Sequence, residues 1–176
     1  MGCLTNGYST PEATALLGEV FSFFNISLKG LSPSFCSRYL GIPDSAAVIR
    51  TIRQLAAHRH VEVVTPVVES ENDTELDQMA DILADINPEM PWHVFRLLPT
   101  YKMSEESYPS IAALNDKLEA QRQRLPHIYF HNFIGSEWVD TLCPECGAVV
   151  ISRFSMPIVS AGASSMVTPS IVIFTT

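Results

Sequence analysis

The sequence predicts an α/β fold built on a parallel sheet, a partial (β/α) barrel of the TIM type. Three observations carry this reading. Short β-rich apolar runs recur along the chain, segments with helical spacing and recognisable starts lie between them, and the two alternate at roughly thirty-residue intervals, the length of a strand with its crossover helix. A closed eight-stranded barrel takes about 250 residues. With 176 residues, the chain suits part of such a barrel. Its 47% hydrophobic and 17% charged content supplies one sizeable core.

Each element has its own signal. "CLT" (3–5) reads as the tail of a first strand, and "FSFFNISL" (21–28), "VEVVTPVV" (61–68), "WHVFRLL" (92–98) and "HIYF" (127–130) read as the next four. Thr10 before Pro11 supplies an N-cap and a first-turn proline. Asp44 is placed to cap a helix over 45–58, and Asn72 with Glu75 three residues on has the form of a capping box, with Asn72 and Asp73 as helix-capping residues. Three apolar stripes follow: Val48, Ile52 and Leu55; Leu76, Met79, Ala80 and Leu83; Ile111, Leu114, Leu118 and Leu125. Stripes of this spacing are core faces.

Charge and cysteine usage narrow the function classes. Nineteen acidic against eleven basic residues give a net charge of −8. A phosphate backbone needs clustered Lys and Arg, and the pair Arg122 and Arg124 on a mixed helix makes no such patch, so no nucleic-acid partner is expected. No run approaches the 18 or so apolar residues of a membrane span, and no secretory leader is visible, so the four cysteines, Cys3, Cys36, Cys143 and Cys146, are expected as thiols in a reducing cytoplasm. No Gly-x-Ser-x-Gly elbow or phosphate-cradling glycine loop is present.

In parallel α/β folds chemistry gathers where strands end. The polar tips here are "TNGYSTPEA" (5–13), "NISLKG" (25–30), "VEVVTPVVESENDTE" (61–75) and "PWHVFRLLPTYKM" (91–103), followed by "CPECGAVVISR" (143–153). Taken in this order, the five segments resemble the radical S-adenosylmethionine (radical SAM) activating enzymes, the class of pyruvate formate-lyase activating enzyme, and most of all the relatives named after the AmmeMemoRadiSam system. The resemblance covers residues 4–153 and corresponds to the C-terminal two thirds of such a protein. It implies a partial barrel over 1–135, an incomplete CPxCG knuckle over 136–154, half of a zinc ribbon, and a separate tail over 155–176.

The resemblance also implies chemistry: S-adenosylmethionine bound across the C-terminal edge of the sheet, reductive cleavage at a [4Fe–4S] cluster, and hydrogen abstraction from a substrate, in activating enzymes a glycine of a partner protein. Carried over by position, Asn6 and Gly7 end the strand beside the nucleotide, Lys29 lies in the next loop, and His93, Arg96 and Tyr101 lie toward the substrate. Three departures bear on this. The family's C-x-x-x-C-x-x-C cluster motif is not in this sequence, and Cys3 and Cys36 do not replace three thiolates converging on one cube. Ser27 stands where the family has an acidic residue, and Glu69 and Ser70 stand in place of Pro-Gly. The second CPxCG expected within 154–176 is missing from a stretch without any charged side chain, read as a frame shift soon after Arg153 or a broken gene. An intact mass of the cellular polypeptide well above that of 176 residues would support that reading.

Ordinary roles stand beside these. Cys143 and Cys146 suit a plain turn with two thiols as well as a zinc half-site completed from elsewhere, including a second chain. His93 suits a hydrogen-bonded core histidine, His58 and His60 a helix C-terminus, His127 and His131 polar tips on one strand face, and Cys36 a small buried hydrophobe. Two functions follow: a radical SAM activating-type protein inactive by itself, or a non-catalytic α/β remnant or accessory subunit that binds a partner or nucleotide.

Overall fold

The computed structural model describes residues 1–105, 107–131, 140–143, 145–153 and 171–172, with 152–153 and 171–172 by backbone alone. Five strands, β1 (Gly2–Thr5), β2 (Phe23–Ser27), β3 (His60–Val67), β4 (Trp92–Arg96) and β5 (Ile128–His131), form one parallel sheet in the order 1-2-3-4-5. The connections carry α1 (Pro11–Val20), the short α2 (Pro33–Phe35) continued by a wider turn over Cys36–Leu40, α3 (Ala46–Ala56), α4 (Leu76–Ile86) and α5 (Ile111–Glu119).

Strand order decides the architecture. A doubly wound sheet reverses direction at a switch point and places helices on both faces. Here every parallel neighbour is also the next in sequence, so right-handed crossovers lay the helices on the same face. Burial follows suit. Phe24, Ile26, Val61, Val63, Val67, Trp92, Val94, Ile128 and Phe130 join Val48, Ile52, Leu55, Leu76, Met79, Leu83, Leu114 and Leu118 in one core. The alternate residues, Asn25, Glu62, Val64, His93, Phe95, Tyr129 and His131, are half-buried on the other face. That face is the concave inside of a partial barrel, as the sequence predicts.

The predicted cap at Thr10 holds, whereas Asp44 acts from one residue before the cap position, Ser45, whose side chain makes no capping bond. Thr10 Oγ1 accepts from the Ala13 N–H at 3.3 Å with Pro11 in the first turn, and Asp44 Oδ1 accepts from the Ala46 N–H at 2.8 Å. The capping box at Asn72 and Glu75 does not form. Asn72 Oδ1 accepts from the Val68 N–H at 2.7 Å, and its Nδ2 donates to the carbonyls of Lys29 at 2.6 Å and Pro66 at 2.8 Å. Glu75 accepts from the Leu31 and Ser32 N–H groups at 2.5 and 3.0 Å. Asp73 takes Lys117 Nζ at 2.8 Å rather than capping. The reason is tertiary: the loops after β2 and β3 lie side by side, each with backbone groups that no ladder satisfies, and Asn72 and Glu75 reach across to the β2 loop while Asn72 also ties its own loop.

Strand ends also move for local reasons. Phe21 caps α1 through its N–H to the Leu17 carbonyl at 2.9 Å, so β2 begins only at Phe23. His60, expected at a helix end, opens β3, because α3 stops at Ala56.

A second, antiparallel sheet has the order β6 (Thr141–Leu142), β7 (Val149–Arg153) and β8 (Ile171–Val172). The rest of the 155–176 tail lies outside the described residues, as do residues 136–139, Pro144 and Phe154 of the knuckle. Among the described residues no helix is long and apolar enough to cross a membrane.

Candidate functional site

The segments "TNGY" and "NISLKG" meet at the C-terminal edge of the sheet. Between the ends of β1 and β2 lies a cavity of about 200 Å³ walled by Asn6, Ser27, Lys29, Gly30, Tyr39 and Ser45, with Leu28, Leu40, Ile42 and Val48 as its apolar side. Lys29 is the one charged side chain among these walls. Larger hollows, about 570 and 700 Å³, open around Glu19, His58 and Arg59. They sit at the end of the sheet where strands begin, whereas ligands of parallel sheets bind outside the carboxyl ends, so the smaller cavity is the candidate.

Local chemistry shapes it. Asn6 Oδ1 accepts from the Tyr8 N–H at 3.0 Å, folding the loop into a tight turn. Gly7 follows with φ +70°, and a Cβ there would lie 2.7 Å from Ile26 Cγ2 and 3.1 Å from Val48 Cγ1. Gly7→Ala is therefore expected to destabilise the chain by about 2 to 4 kcal/mol, combining left-handed strain with overpacking. Thermal unfolding checks it. A midpoint within about 2 °C of the parent, against the 2–4 °C expected per kcal/mol at this size, would show that the site tolerates a side chain.

The other predicted residues are scattered. Gly7 backs the cavity through Val48 without lining it. Tyr101 is 85% exposed at φ +53°, and Arg96 lies 4.9 Å from the Tyr108 ring centroid. Cys3 is on β1, and Cys36 is fully buried beneath the loop, its thiol pushed up by burial first and by Glu75 and Asp44 second. The expectation of a buried apolar Cys36 fits this placement.

His93 is drawn into a cluster of side chains from three strands. Its Nε2 lies 3.1 Å from Glu62 Oε2, its Nδ1 lies 2.9 Å from His131 Nε2, and Glu62 Oε1 lies 3.3 Å from His60 Nε2. The hydrogen bond from His93 foremost, aided by its charge and by His60, holds the Glu62 carboxyl below its ordinary range against the opposing effect of burial. His60 and His131 are thus members of a sheet-face network, not a helix cap and a lone polar tip. The signal was present as polar residues at alternate strand positions, 60 and 62, 93, and 129 and 131, but it is legible only once the inner face is known to be partly open. His127, expected on the same face, pairs instead with Glu89 Oε2 at 3.2 Å.

The segment from Cys143 to Ala148 folds into a tight turn. The Cys143 N–H donates to Ala148 O at 2.8 Å, the Gly147 N–H donates to Cys143 O at 2.9 Å, and Gly147 has φ +71°. Backbone N–H groups of Cys146 and then Glu145 point at the Cys143 sulfur and lower its pKa, the arrangement that favours a thiolate ligand. The other two ligands of a tetrahedral zinc are not beside it: among the described residues no three His, Cys, Asp or Glu side chains are placed around one metal ion. For the same reason the described cysteines do not fit a [4Fe–4S] cluster. Cys3 on β1, Cys36 under its loop and the knuckle pair belong to separate places in the fold.

No family profile matches this chain. An uncharacterized protein of Methanocaldococcus jannaschii is 31% identical over 99 residues, which cover 53% of this chain and 29% of that protein. The match therefore spans less than a third of the relative's length. Among solved structures, a domain of pyruvate-formate lyase-activating enzyme from Bacteroides vulgatus superposes with a TM-score of 0.60 at 17% identity, covering 72% of this chain and 78% of that one. The chain shares its fold with that domain. The α/β class with a parallel sheet read from the sequence stands.

Proposed function

We propose that this chain is the ligand-binding half-barrel of a radical SAM protein of the activating-enzyme type, holding the anionic end of S-adenosylmethionine between β1 and β2. One observation carries the reading. Asn6, Ser27 and Lys29, from two of the segments that resemble the family, with Ser27 in place of its acidic residue, line one cavity at the carboxyl edge of a fold shared with an activating-enzyme domain. At about 200 Å³ the cavity is below the 300–1,000 Å³ of a complete small-molecule site. It takes one end of a ligand. Lys29 suits the carboxylate of that end, and Asn6 and Ser27 add hydrogen-bonding groups beside it.

The cluster and the radical step belong to the complete protein, with the iron ligands supplied by another segment or chain. A partner protein as substrate, the 136–154 knuckle as a zinc half-site and the separate tail are parts of the same proposal. A calorimetric titration tests the cavity. Lys29→Met is expected to weaken S-adenosylmethionine binding by about tenfold or more, the loss of one hydrogen bond to a charged group. Unchanged affinity would remove Lys29 from the site. Anaerobic reconstitution with iron and sulfide tests the cluster: a chain that stays colourless needs its ligands from elsewhere, and one that turns brown overturns that statement.

A second reading rests on Ser27. Without the family's carboxylate, the cavity carries only the Lys29 charge and offers nothing opposite to a sulfonium. A non-catalytic accessory role, binding a nucleotide through its phosphate, is favoured if adenosine monophosphate binds as tightly as S-adenosylmethionine in that titration.

A further inference from the structure

The cavity at the ends of β1 and β2 has a floor and a rim, and burial separates them. Of the residues that line it, Asn6 and Tyr8 alone are exposed; the rest, Ser27 and Lys29 among them, are buried or half-buried. Register accounts for the placement. Thr5 pairs with Ile26, so Asn6 continues beside Ser27, and the turn at Gly7 sets Tyr8 on the rim. A ligand whose end lies against Lys29 therefore leaves past Asn6 and Tyr8.

The backbone on both sides of Tyr8 is tied down. Asn6 Oδ1 accepts from the Tyr8 N–H at 3.0 Å, the Gly7 N–H donates to Thr5 Oγ1 at 3.1 Å, and the Ser9 N–H donates to the Gly7 carbonyl at 3.0 Å. The Ser9 hydroxyl meets that of Thr14, fully buried on α1, at 2.6 Å. The ring of Tyr8 is not tied. The chain has five tyrosines. Tyr39 stands against Phe35 and Arg38, Tyr101 against Lys102, Tyr108 against Arg96 and Tyr129 against His93. Tyr8, 47% exposed, has no such partner for its ring or its hydroxyl among the described residues.

A single exposed aromatic side chain is ordinary. This one sits at the mouth of the cavity that holds Lys29, on a loop fixed before and after it, where it meets the part of a ligand that the cavity is too small to hold. A tyrosine has only two side-chain torsions to immobilise, so it binds a flat partner at low entropic cost. Asn6 adds a polar group at the same rim: its Oδ1 is engaged by the Tyr8 backbone, which leaves Nδ2 as a donor.

We propose that Tyr8 is the stacking platform for a planar base on the ligand and sets the preference of the cavity for nucleosides over simple anions, resting on the assignment of the ligand's anionic end to Lys29. The ligand class is an aromatic base joined through a sugar to a carboxylate or a phosphate. S-adenosylmethionine and adenosine monophosphate both have this form.

Calorimetric titration of the whole chain with matched probes tests it. S-adenosylhomocysteine and methionine share a thioether amino-acid end and differ in the adenosyl group; adenosine monophosphate and ribose 5-phosphate share a phosphate and differ in the base. In one pair the base-bearing member is expected to bind about five- to 150-fold more tightly, the range of base–aromatic stacking. The pair that shows this preference says whether the anion is a carboxylate or a phosphate. Tyr8→Leu is expected to bring the ratio close to one, and Tyr8→Phe to keep it, because stacking needs the ring and not the hydroxyl. Thermal unfolding checks that both variants fold, as substitutions at an exposed position do. Lys29→Met should weaken both members of the pair and leave their ratio. A ratio near one in the unaltered chain, or one that survives Tyr8→Leu, overturns the platform while Lys29 keeps its assignment. A ratio lost in Tyr8→Leu with unchanged affinity in Lys29→Met supports the platform and removes Lys29 instead. Absence of binding by all four probes overturns both.

Discussion

Asn72→Leu is expected to lower the stability of the chain by about 3 to 5 kcal/mol. Asn72 is fully buried, and its amide joins three backbone groups from two loops: Val68 N–H, Lys29 C=O and Pro66 C=O. Leucine fills a similar volume, excludes water and leaves all three unpaired, each at about 1–3 kcal/mol before relaxation. Against a typical total of about 5–15 kcal/mol, that is a large fraction. Urea unfolding checks it, with a lower midpoint and an unchanged slope as the expected pattern. The variant should also lose affinity at the cavity, because the Lys29 carbonyl is one of the tied groups. A loss under about 1 kcal/mol, within the range of an ordinary surface change, would mean that the loops are held by other contacts.

Trp92→Ala should be equally damaging for a different reason. The indole is fully buried between the sheet and its helices, and its Nε1–H donates to Thr65 Oγ1 at 2.9 Å while Thr65 donates to the Leu28 carbonyl at 2.7 Å. Truncation opens a large cavity, with an expected loss of about 3–5 kcal/mol. Trp92→Phe keeps one six-membered ring and removes the donor together with the remainder of the indole. Thr65 keeps its bond to Leu28, so that variant should lose about 1–2 kcal/mol, a neutral hydrogen bond plus modest repacking. Thermal and urea unfolding of the pair separate packing from hydrogen bonding. Equal losses in the two variants would show that the hydrogen-bonded chain, and not the buried volume, holds β4 to β3 and β2.

The strand and helix segments were legible because their signals are local. The alternation of "VEVVTPVV" and the stripe Leu76, Met79, Ala80 and Leu83 each state a period, and the buried residues are the ones those periods select. Thr10 and Asp44 worked as helix-start signals because the groups they satisfy lie within three residues. Asn72 and Glu75 carried the same local pattern and went elsewhere, since an amide or carboxylate that reaches its own helix can equally reach a loop more than forty residues away in sequence.

By itself the sequence determined the class of the fold, the order of its elements, the core faces and the strand tips where a site belongs, because periodicity and turn chemistry are written in neighbouring residues. The tertiary structure alone decided which tips share a cavity, that Tyr101 stands apart from it, and that Glu62, His93 and His131 form one line. Those relations depend on strand register and on which face the crossovers leave uncovered, and no short stretch of chain carries either.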